Sequence, residues 1–274
     1  MSLVVFTGWV GLFMAPGSID FWTGFIAVLC IAIAAGASGA INMWYDQDID
    51  KVMTRTMNRP IPAGRLHANE ALVFGTLLSI GSVAVMGYWV NFAAAALLAV
   101  TILYYVFIYT MWLKRRTPQN IVIGGASGAF PPMIGWTAVT GDIGLGSLAL
   151  FAIIFLWTPP HSWALALFRR GDYAAADVPM MPVVVGEHKT KLQMLVYTAL
   201  LIPATLSPVA LGVSGAFYGV IAAALGIEFW RRLWKVWKSD DVMTARPFFL
   251  FSILYLFLIF VALLVDRLVF VPVV

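Results

Sequence analysis

The first polar stretch of this sequence, NMWYDQDIDKVMTRTMNRPIPAG at residues 42–64, places three potential metal ligands at intervals of four residues. They are Asn42, Asp46 and Asp50. A step of four residues turns an α-helix about 40° beyond a full circle, so all three lie on one face and Asp48 points away from it. Mg²⁺ binds one or two carboxylates and completes its shell with phosphate oxygens and water. The spacing therefore predicts a site for a metal-bound phosphate compound.

The basic residues of the same stretch admit two interpretations. In the first, Lys51, Arg55 and Arg59 pair with the aspartates and the stretch is merely a solvated loop. In the second, guanidinium groups clamp a diphosphate that the metal bridges, because the forked donors of arginine match phosphate oxygens.

A second acidic stretch contains Asp172 and Asp177 and has a similar layout. Two closely spaced prolines follow each stretch: Pro60, Pro62, Pro179 and Pro182. Two carboxylate faces opposed across a helical bundle would suit a diphosphate held through metal. The second stretch thus favours the diphosphate interpretation over the solvated loop.

The elements that position these residues are predicted to be membrane helices. The chain has 274 residues, of which 62% are hydrophobic and 11% are charged, whereas soluble proteins have about 25% charged residues. Segments of about 20 apolar residues are long enough to cross a bilayer. Nine such segments are predicted, the first of them short: 1–15, 22–44, 69–89, 91–112, 120–140, 147–168, 192–212, 214–233 and 248–270.

Basic residues cluster in alternate loops. The loops at 45–67, 113–118, 169–191 and 231–247 contain four, three, four and five of the 17 Lys and Arg residues, and Arg267 lies elsewhere. Cytoplasmic loops are enriched in basic residues. We therefore predict a multi-pass protein of a bacterial-type inner membrane, with a cytoplasmic amino terminus and both acidic stretches on the cytoplasmic side. The net charge of +4 then reflects topology, and nucleic acid is not an expected partner.

The two acidic stretches follow the second and sixth predicted spans, four helices apart, which suggests a duplicated four-helix unit. We predict an all-α, polytopic membrane protein. Its nine transmembrane helices would form one bundle of two four-helix pseudo-repeats plus one helix, in a single domain over residues 1–274.

One histidine, His161, lies inside a predicted span, directly after Pro159 and Pro160. A polar group at membrane depth is costly unless it is paired, and it marks a candidate functional site. It could bond to a carbonyl that the proline pair frees. Alternatively, it could contact a bound substrate.

Three segments together resemble a known family. They are residues 42–64, YTMWLKRRTPQNIVIGGASGAFPPMIGW at 109–136 and FLWTPPHSWALALFRRGDYAAADVPMMPVV at 155–184. The chain resembles the UbiA-type intramembrane prenyltransferases over nearly its whole length, and most of all the members that use heme as the acceptor. The resemblance implies transfer of a farnesyl group from farnesyl diphosphate to a vinyl group of heme B, which gives heme O and diphosphate.

The resemblance also implies roles for individual residues. Asp46, Asp50 and Asp172 would be catalytic, with Mg²⁺ as the cofactor and heme B as a substrate. Metal ligands would be Asn42, Asp46, Asp50, Asp172 and Asp177. In the wider family the second acidic residue follows at an interval of four, whereas here Asp177 comes one residue later and Tyr173 is an alternative contact. Diphosphate would contact Arg55, Arg59, Lys114 and Arg115, and the acceptor would contact His161 and Tyr173.

Two other functions remain open at this stage. A prenyltransferase that acts on a quinone precursor or a chlorin would have the same diphosphate site. A secondary transporter would also have broken helices and charges at one face, but it would place ionisable groups near the midplane of the membrane. Besides farnesyl diphosphate, heme B and the lipid bilayer, expected partners include a downstream heme A synthase or a terminal oxidase assembly.

Overall fold

The computed structural model describes residues 2–269, which fold almost entirely into helices. The α-helices, numbered along the chain, are α1 Ser2–Met14, α2 Phe21–Tyr45, α3 Gln47–Val52, α4 Ala68–Trp89, α5 Phe92–Leu103, α6 Asn120–Gly124, α7 Ala126–Thr140, α8 Leu145–Phe168, α9 Arg170–Ala175, α10 Met181–Val184, α11 Glu187–Ala210, α12 Ala216–Lys238 and α13 Ala245–Val269. A π-helix at Tyr104–Leu113 continues α5, and a 3₁₀ turn at Val242–Thr244 precedes α13.

The predicted all-α membrane fold is confirmed. Each of the nine predicted spans coincides with one helix or with two consecutive helices of the described residues, while Met1 and Phe270, at the outer limits of the prediction, lie outside them. Six segments are long and apolar enough to cross a bilayer by length and composition: Phe21–Tyr45, Ala68–Trp89, Phe92–Leu113, Leu145–Phe168, Glu187–Ala210 and Val242–Val269. The other three are the short α1, the interrupted pair α6 and α7, and α12, which ends in basic residues.

Polar side chains fix where two helices begin at one end of the bundle. Asp20 precedes α2 and accepts hydrogen bonds from the backbone nitrogens of Trp22 and Thr23, both at 3.1 Å. Asn91 caps α5 in the same way, with 2.8 Å to the nitrogen of Ala94. Such caps satisfy amide groups that have no partner within the helix. They set where these two helices begin at the end of the bundle that we call the distal end, opposite the acidic stretches.

The helices form two half-bundles that match the predicted duplicated unit. In the first half-bundle, α2, α4, α5 and α7 share an apolar core. In the second, α8, α11, α12 and α13 share another, to which α7 also contributes. The first helix, α1, packs against α7 and α13 and so joins the halves. The short helices α3 and α9 follow α2 and α8, at the corresponding place in each half.

The contact between α1 and α7 depends on glycine. A Cβ atom added at Gly135 would lie 2.0 Å from the carbonyl oxygen of Gly8, closer than any van der Waals contact allows. We expect Gly135→Ala to lower the free energy of unfolding by about 1–3 kcal/mol, because the helices would have to move apart. Thermal unfolding of the detergent-solubilised protein measures the change. Gly81→Ala in α4 is the control, since nothing lies within 4 Å of its added Cβ; equal melting temperatures of the two variants would contradict the expectation.

Candidate functional site

The first acidic motif lies where α2 passes into α3. Asp46 is the single residue between α2 and α3, and its backbone angles lie outside the helical region. The helical register nevertheless continues across it, because the nitrogen of Asp46 bonds to the carbonyl of Asn42 at 2.9 Å and that of Asp50 bonds to Asp46 at 2.8 Å. The three side chains therefore share one face, as the spacing predicts. They are buried, with Asn42 7%, Asp46 0% and Asp50 1% exposed.

Asp46 is held by groups from two helices. The Nζ atom of Lys114 forms an ion pair with its Oδ2 atom. The amide of Asn42 donates to the same oxygen at 2.7 Å and to the hydroxyl of Thr110 at 3.2 Å. Lys114 and Thr110 both belong to the end of the π-helix region, 68 and 64 residues further along the chain than Asp46. The π-helix thus places the ammonium group of Lys114 beside the buried carboxylate of Asp46, which requires a positive partner.

Asp50 has one oxygen engaged and one free. Its Oδ2 atom accepts a 2.7 Å bond from Nη1 of Arg59, and the hydroxyl of Thr56 donates to its backbone carbonyl at 3.2 Å. Within residues 2–269, its Oδ1 atom accepts no hydrogen bond. Neither Lys51 nor Arg55 forms an ion pair in the described residues, so the local pairing of the first interpretation is limited to Arg59.

Asp48 lies on the other side of the motif, as expected, and its side chain is 62% exposed. It accepts two hydrogen bonds of 2.7 Å from the guanidinium of Arg115. These bonds hold the pKa of Asp48 at about 2, below its usual value, so the pair remains ionised at physiological pH. Arg115 also lies 3.5 Å from Oδ1 of Asp46 and covers the ring of Tyr45. It is thus anchored beside the buried motif.

The second acidic motif meets the first through α9. The hydroxyl of Thr54 donates to Oδ2 of Asp172 at 2.6 Å, across 118 residues of sequence. Arg169 lies 3.7 Å from the same oxygen. The next residue, Tyr173, packs in an apolar cluster with Ile49 and Met53 of the first acidic stretch. The structure therefore brings the two acidic stretches together, as the sequence suggests.

Asp177 and Arg55 lie further out. Asp177 is exposed and has a left-handed backbone with φ of 51°, which Asp adopts more readily than most residues. Arg55 is exposed. Within the described residues, neither side chain takes part in an ion pair or hydrogen bond, so each remains available to a ligand.

The donor groups fit Mg²⁺ only if a substrate completes its shell. Residues 2–269 contain no group of three or more His, Cys, Asp or Glu side chains that could hold a metal ion by themselves. Mg²⁺ is commonly bound by one or two carboxylates together with phosphate oxygens and water. The residues that would contribute are Asn42, Asp46 and Asp50 on one side and Asp172 on the other. One oxygen each of Asp50 and Asp172 lacks a hydrogen bond in the described residues, which leaves it free for a cation.

An apolar cavity of about 440 Å³ leads away from this site into the first half-bundle. Its polar end is formed by Asn42 and Arg59, and its walls come mainly from α2, α5 and α7. We call it the first cavity. A second cavity of about 340 Å³ lies beside it and is lined by Trp157, Thr158 and Ser162 of α8. Four residues line both: Val4, Tyr105, Ser127 and Gly128. The cavities are therefore adjacent, and a group bound in one could react with a molecule bound in the other.

Two tyrosines at the junction of the cavities were not identified from the sequence. Tyr105 lines both cavities and Tyr109 lines the second, with ring centroids 5.5 Å apart. Tyr109 lies one helical turn before Lys114, whose backbone nitrogen bonds to the carbonyl of Tyr109 at 2.9 Å, so its ring is presented close to the cation that pairs with Asp46. A π-helix positions both rings, and π-helical segments are frequent at functional sites. Their faces can stabilise a cation by about 1–2 kcal/mol each where water is excluded.

His161 contacts α13. Its Nδ1 atom lies 2.7 Å from the hydroxyl of Ser252, and its ring is stacked between Trp157 and Phe249 at 4.2 and 4.6 Å. Ser252 itself donates to the carbonyl of Phe249 at 2.6 Å, so its oxygen accepts from His161 and the imidazole carries its proton on Nδ1. The partner is thus a hydroxyl and not the carbonyl that Pro159 or Pro160 would free. Among residues 2–269 no group bonds to Nε2, so its lone pair remains available to a ligand.

Comparison with known proteins identifies the same family from a family model and from individual relatives. A family model described as "UbiA prenyltransferase family" matches residues 4–265. A protein of Parvibaculum lavamentivorans named protoheme IX farnesyltransferase is 58% identical over 271 residues, which cover 97% of this chain and 85% of the relative. The protein of the same name from Sinorhizobium fredii is 59% identical over 273 residues, covering 98% and 86% of the two chains.

Solved structures share the fold. A structure of digeranylgeranylglyceryl phosphate synthase superposes with a TM-score of 0.81 at 20% identity, covering 96% of this chain and 92% of that chain. A UbiA homologue from Archaeoglobus fulgidus bound to DMAPP and Mg²⁺ superposes with a TM-score of 0.70 at 14% identity, covering 96% of both chains.

Proposed function

This chain belongs to the UbiA prenyltransferase family, and on that premise we propose that it transfers a farnesyl group from farnesyl diphosphate to a vinyl group of heme B. The C–O bond of the donor breaks, diphosphate leaves, and the vinyl carbon forms a bond to the allylic cation. Water then adds to the resulting cation as a hydroxyl and releases a proton, which gives heme O. The observation that carries the proposal is the meeting of two acidic motifs at the polar end of an apolar cavity.

The diphosphate site is assigned to both motifs. Asp46, Asp50 and Asp172, with Asn42, would hold Mg²⁺, which supplies positive charge to neutralise the departing diphosphate. The structure of the Archaeoglobus fulgidus homologue bound to DMAPP and Mg²⁺ supports this choice of metal. Asp177 is a weaker candidate, because it is exposed and no contact in the described residues links it to Asp172.

Four basic residues surround the same place and would bind the diphosphate oxygens. Lys114 and Arg59 pair with Asp46 and Asp50, Arg115 is anchored by Asp48, and Arg55 has no ion pair within the described residues. Preorganised cations at the point where negative charge develops are the largest contribution to catalysis in many enzymes. No protein nucleophile is required for this reaction.

The apolar cavities would separate the two substrates. The first cavity would hold the farnesyl chain, because its polar end is formed by Asn42 and Arg59 of the diphosphate site. The acceptor would approach from the second cavity, beside Trp157. His161, which stacks on Trp157 behind the cavity wall, and Tyr173 would become its polar contacts when it binds, since neither lines the cavity itself. Tyr105 and Tyr109 would face the allylic cation at the junction and exclude water from it.

The location in the cell is also part of the proposal. The alternation of basic loops supports a cytoplasmic amino terminus and a site on the cytoplasmic side of a bacterial-type inner membrane. We further propose that residues 1–274 act as one domain and that a heme A synthase or terminal oxidase assembly consumes the product.

Removal of metal tests the proposal directly. Membranes containing the protein, incubated with heme B, farnesyl diphosphate and Mg²⁺, are expected to produce heme O, detected by its mass. EDTA should abolish the product, because the diphosphate loses the charge that stabilises its departure, and excess Mg²⁺ should restore it. Product formed equally well with EDTA would contradict the metal site. Prenylation of a quinone precursor or a chlorin in place of heme would contradict the acceptor, and absence of any Mg²⁺-dependent diphosphate release would favour a transporter.

A further inference from the structure

The first cavity ends, on the side away from the acidic motifs, at three buried side chains. On each of the three helices that form its walls, the lining residue farthest from the acidic motifs is large and aliphatic: Ile31 on α2, Leu98 on α5 and Ile134 on α7. These side chains are 2%, 2% and 1% exposed. We call them the floor of the cavity.

The depth of the floor can be compared with the length of a prenyl chain. Eleven residues of α2 separate Ile31 from Asn42, which at 1.5 Å per residue gives a depth of about 16 Å. The farnesyl group has twelve carbons in its main chain, and an extended chain of eleven carbon–carbon bonds spans about 14 Å. A geranylgeranyl chain has sixteen main-chain carbons and spans about 19 Å. The farnesyl chain fits above the floor, whereas the longer chain does not.

The packing beneath the floor explains why it is fixed. One helical turn beyond the floor, each of the same helices has a small buried residue: Ala27, Ala94 and Ala138 are 0%, 0% and 5% exposed. They let the helices approach closely, so the packing below the floor is tight and resists a deepening of the cavity. Ile31 is also confined from the side of α1, since a Cβ added at Gly8 would lie 3.0 Å from its Cδ1 atom.

We propose that Ile31, Leu98 and Ile134 limit the length of the prenyl donor and make the protein select farnesyl diphosphate over geranylgeranyl diphosphate. The inference rests on the proposed function, because it assumes that the first cavity holds the donor chain. It assigns to three aliphatic side chains a specificity that the charged residues at the mouth cannot provide, since all prenyl diphosphates present the same diphosphate.

The test uses one variant that deepens the cavity at its floor and one that shortens it. Leu98→Ala/Ile134→Ala removes six carbons, one more than an isoprene unit contains. It should raise the ratio of kcat/KM for geranylgeranyl diphosphate to that for farnesyl diphosphate by about 10-fold or more. Ala34→Leu adds a side chain to the cavity wall about 4.5 Å above Ile31, close to the length of one isoprene unit. It should shift preference toward geranyl diphosphate by a similar factor.

A matched control removes the same atoms elsewhere. Leu150→Ala/Ile153→Ala truncates two fully buried residues of α8 that line neither cavity, so it should keep the native preference despite lower stability. If the double floor variant does not fold, Ala34→Leu decides alone. Native protein that farnesylates heme while the folded floor variants keep its donor preference would overturn the floor assignment. Native protein that does not use farnesyl diphosphate at all would instead overturn the proposed function.

Discussion

Asp46→Asn is expected to lower the rate of farnesyl transfer by about 100-fold or more while the protein remains folded. Asp46 is fully buried at the centre of the first motif, where it accepts bonds from both Asn42 and Lys114. Asparagine keeps the shape and can still accept a hydrogen bond from Lys114, but it lacks the negative charge that the metal requires. Heme O formation measures the activity, and a thermal melt in detergent verifies the fold.

Asp48→Asn is the matched control for this variant. It makes the same substitution two residues away, on an exposed side chain that faces Arg115 outside the buried motif. The amide oxygen of asparagine can still accept a hydrogen bond from Arg115, so we expect activity within a few-fold of the native rate. If Asp46→Asn retained near-normal activity, the metal assignment would be wrong; equal losses in both variants would show that general loop structure, and not the metal, is responsible.

Lys114→Met is expected to reduce kcat/KM for farnesyl diphosphate by about 100-fold. Methionine preserves much of the apolar stem of lysine but removes the charge that would stabilise the departing diphosphate. The loss should fall mainly on kcat, because charge on the leaving group develops most strongly in the transition state. Steady-state kinetics with varied farnesyl diphosphate separate kcat from KM.

The neighbouring Arg116→Met separates this role from that of membrane topology. Arg116 belongs to the same basic run, is exposed, and forms no ion pair among residues 2–269. Both substitutions remove one positive charge from the loop, so an effect on topology would be similar in the two variants. Native-like activity of Arg116→Met beside an impaired Lys114→Met would support the diphosphate contact, whereas parallel losses would refute it.

The spans could be predicted from sequence because hydrophobic length is a local property. The limits of the predicted spans differ from those of the observed helices where a helix extends beyond its apolar segment. The segment predicted at 192–212 begins at Glu187 in the structure, and the one predicted at 214–233 continues to Lys238. Hydropathy detects the part of a helix that suits hydrocarbon, but backbone hydrogen bonds continue into polar surroundings. A prediction from hydropathy therefore misses the charged turns at the ends of helices.

The site was predictable only in part, for a related reason. The common face of Asn42, Asp46 and Asp50 follows from helical periodicity alone. The bond between Thr54 and Asp172 joins residues 118 apart, and no local pattern announces it. The π-helix that presents Tyr105 and Tyr109 was also missed, because a change of hydrogen-bond register leaves hydrophobic composition unaltered.

The ion pairs of the site have a consequence for the order in which its ligands bind. Asp46 and Asp50 are already neutralised by Lys114 and Arg59, so the carboxylates are poor ligands until these cations are drawn away. A diphosphate provides the alternative partner for both cations. The two binding equilibria are then thermodynamically coupled, and by linkage each ligand must raise the affinity for the other by the same factor. The protein should bind the metal–diphosphate complex cooperatively and either component alone weakly, which would keep the site from being occupied by stray divalent cations.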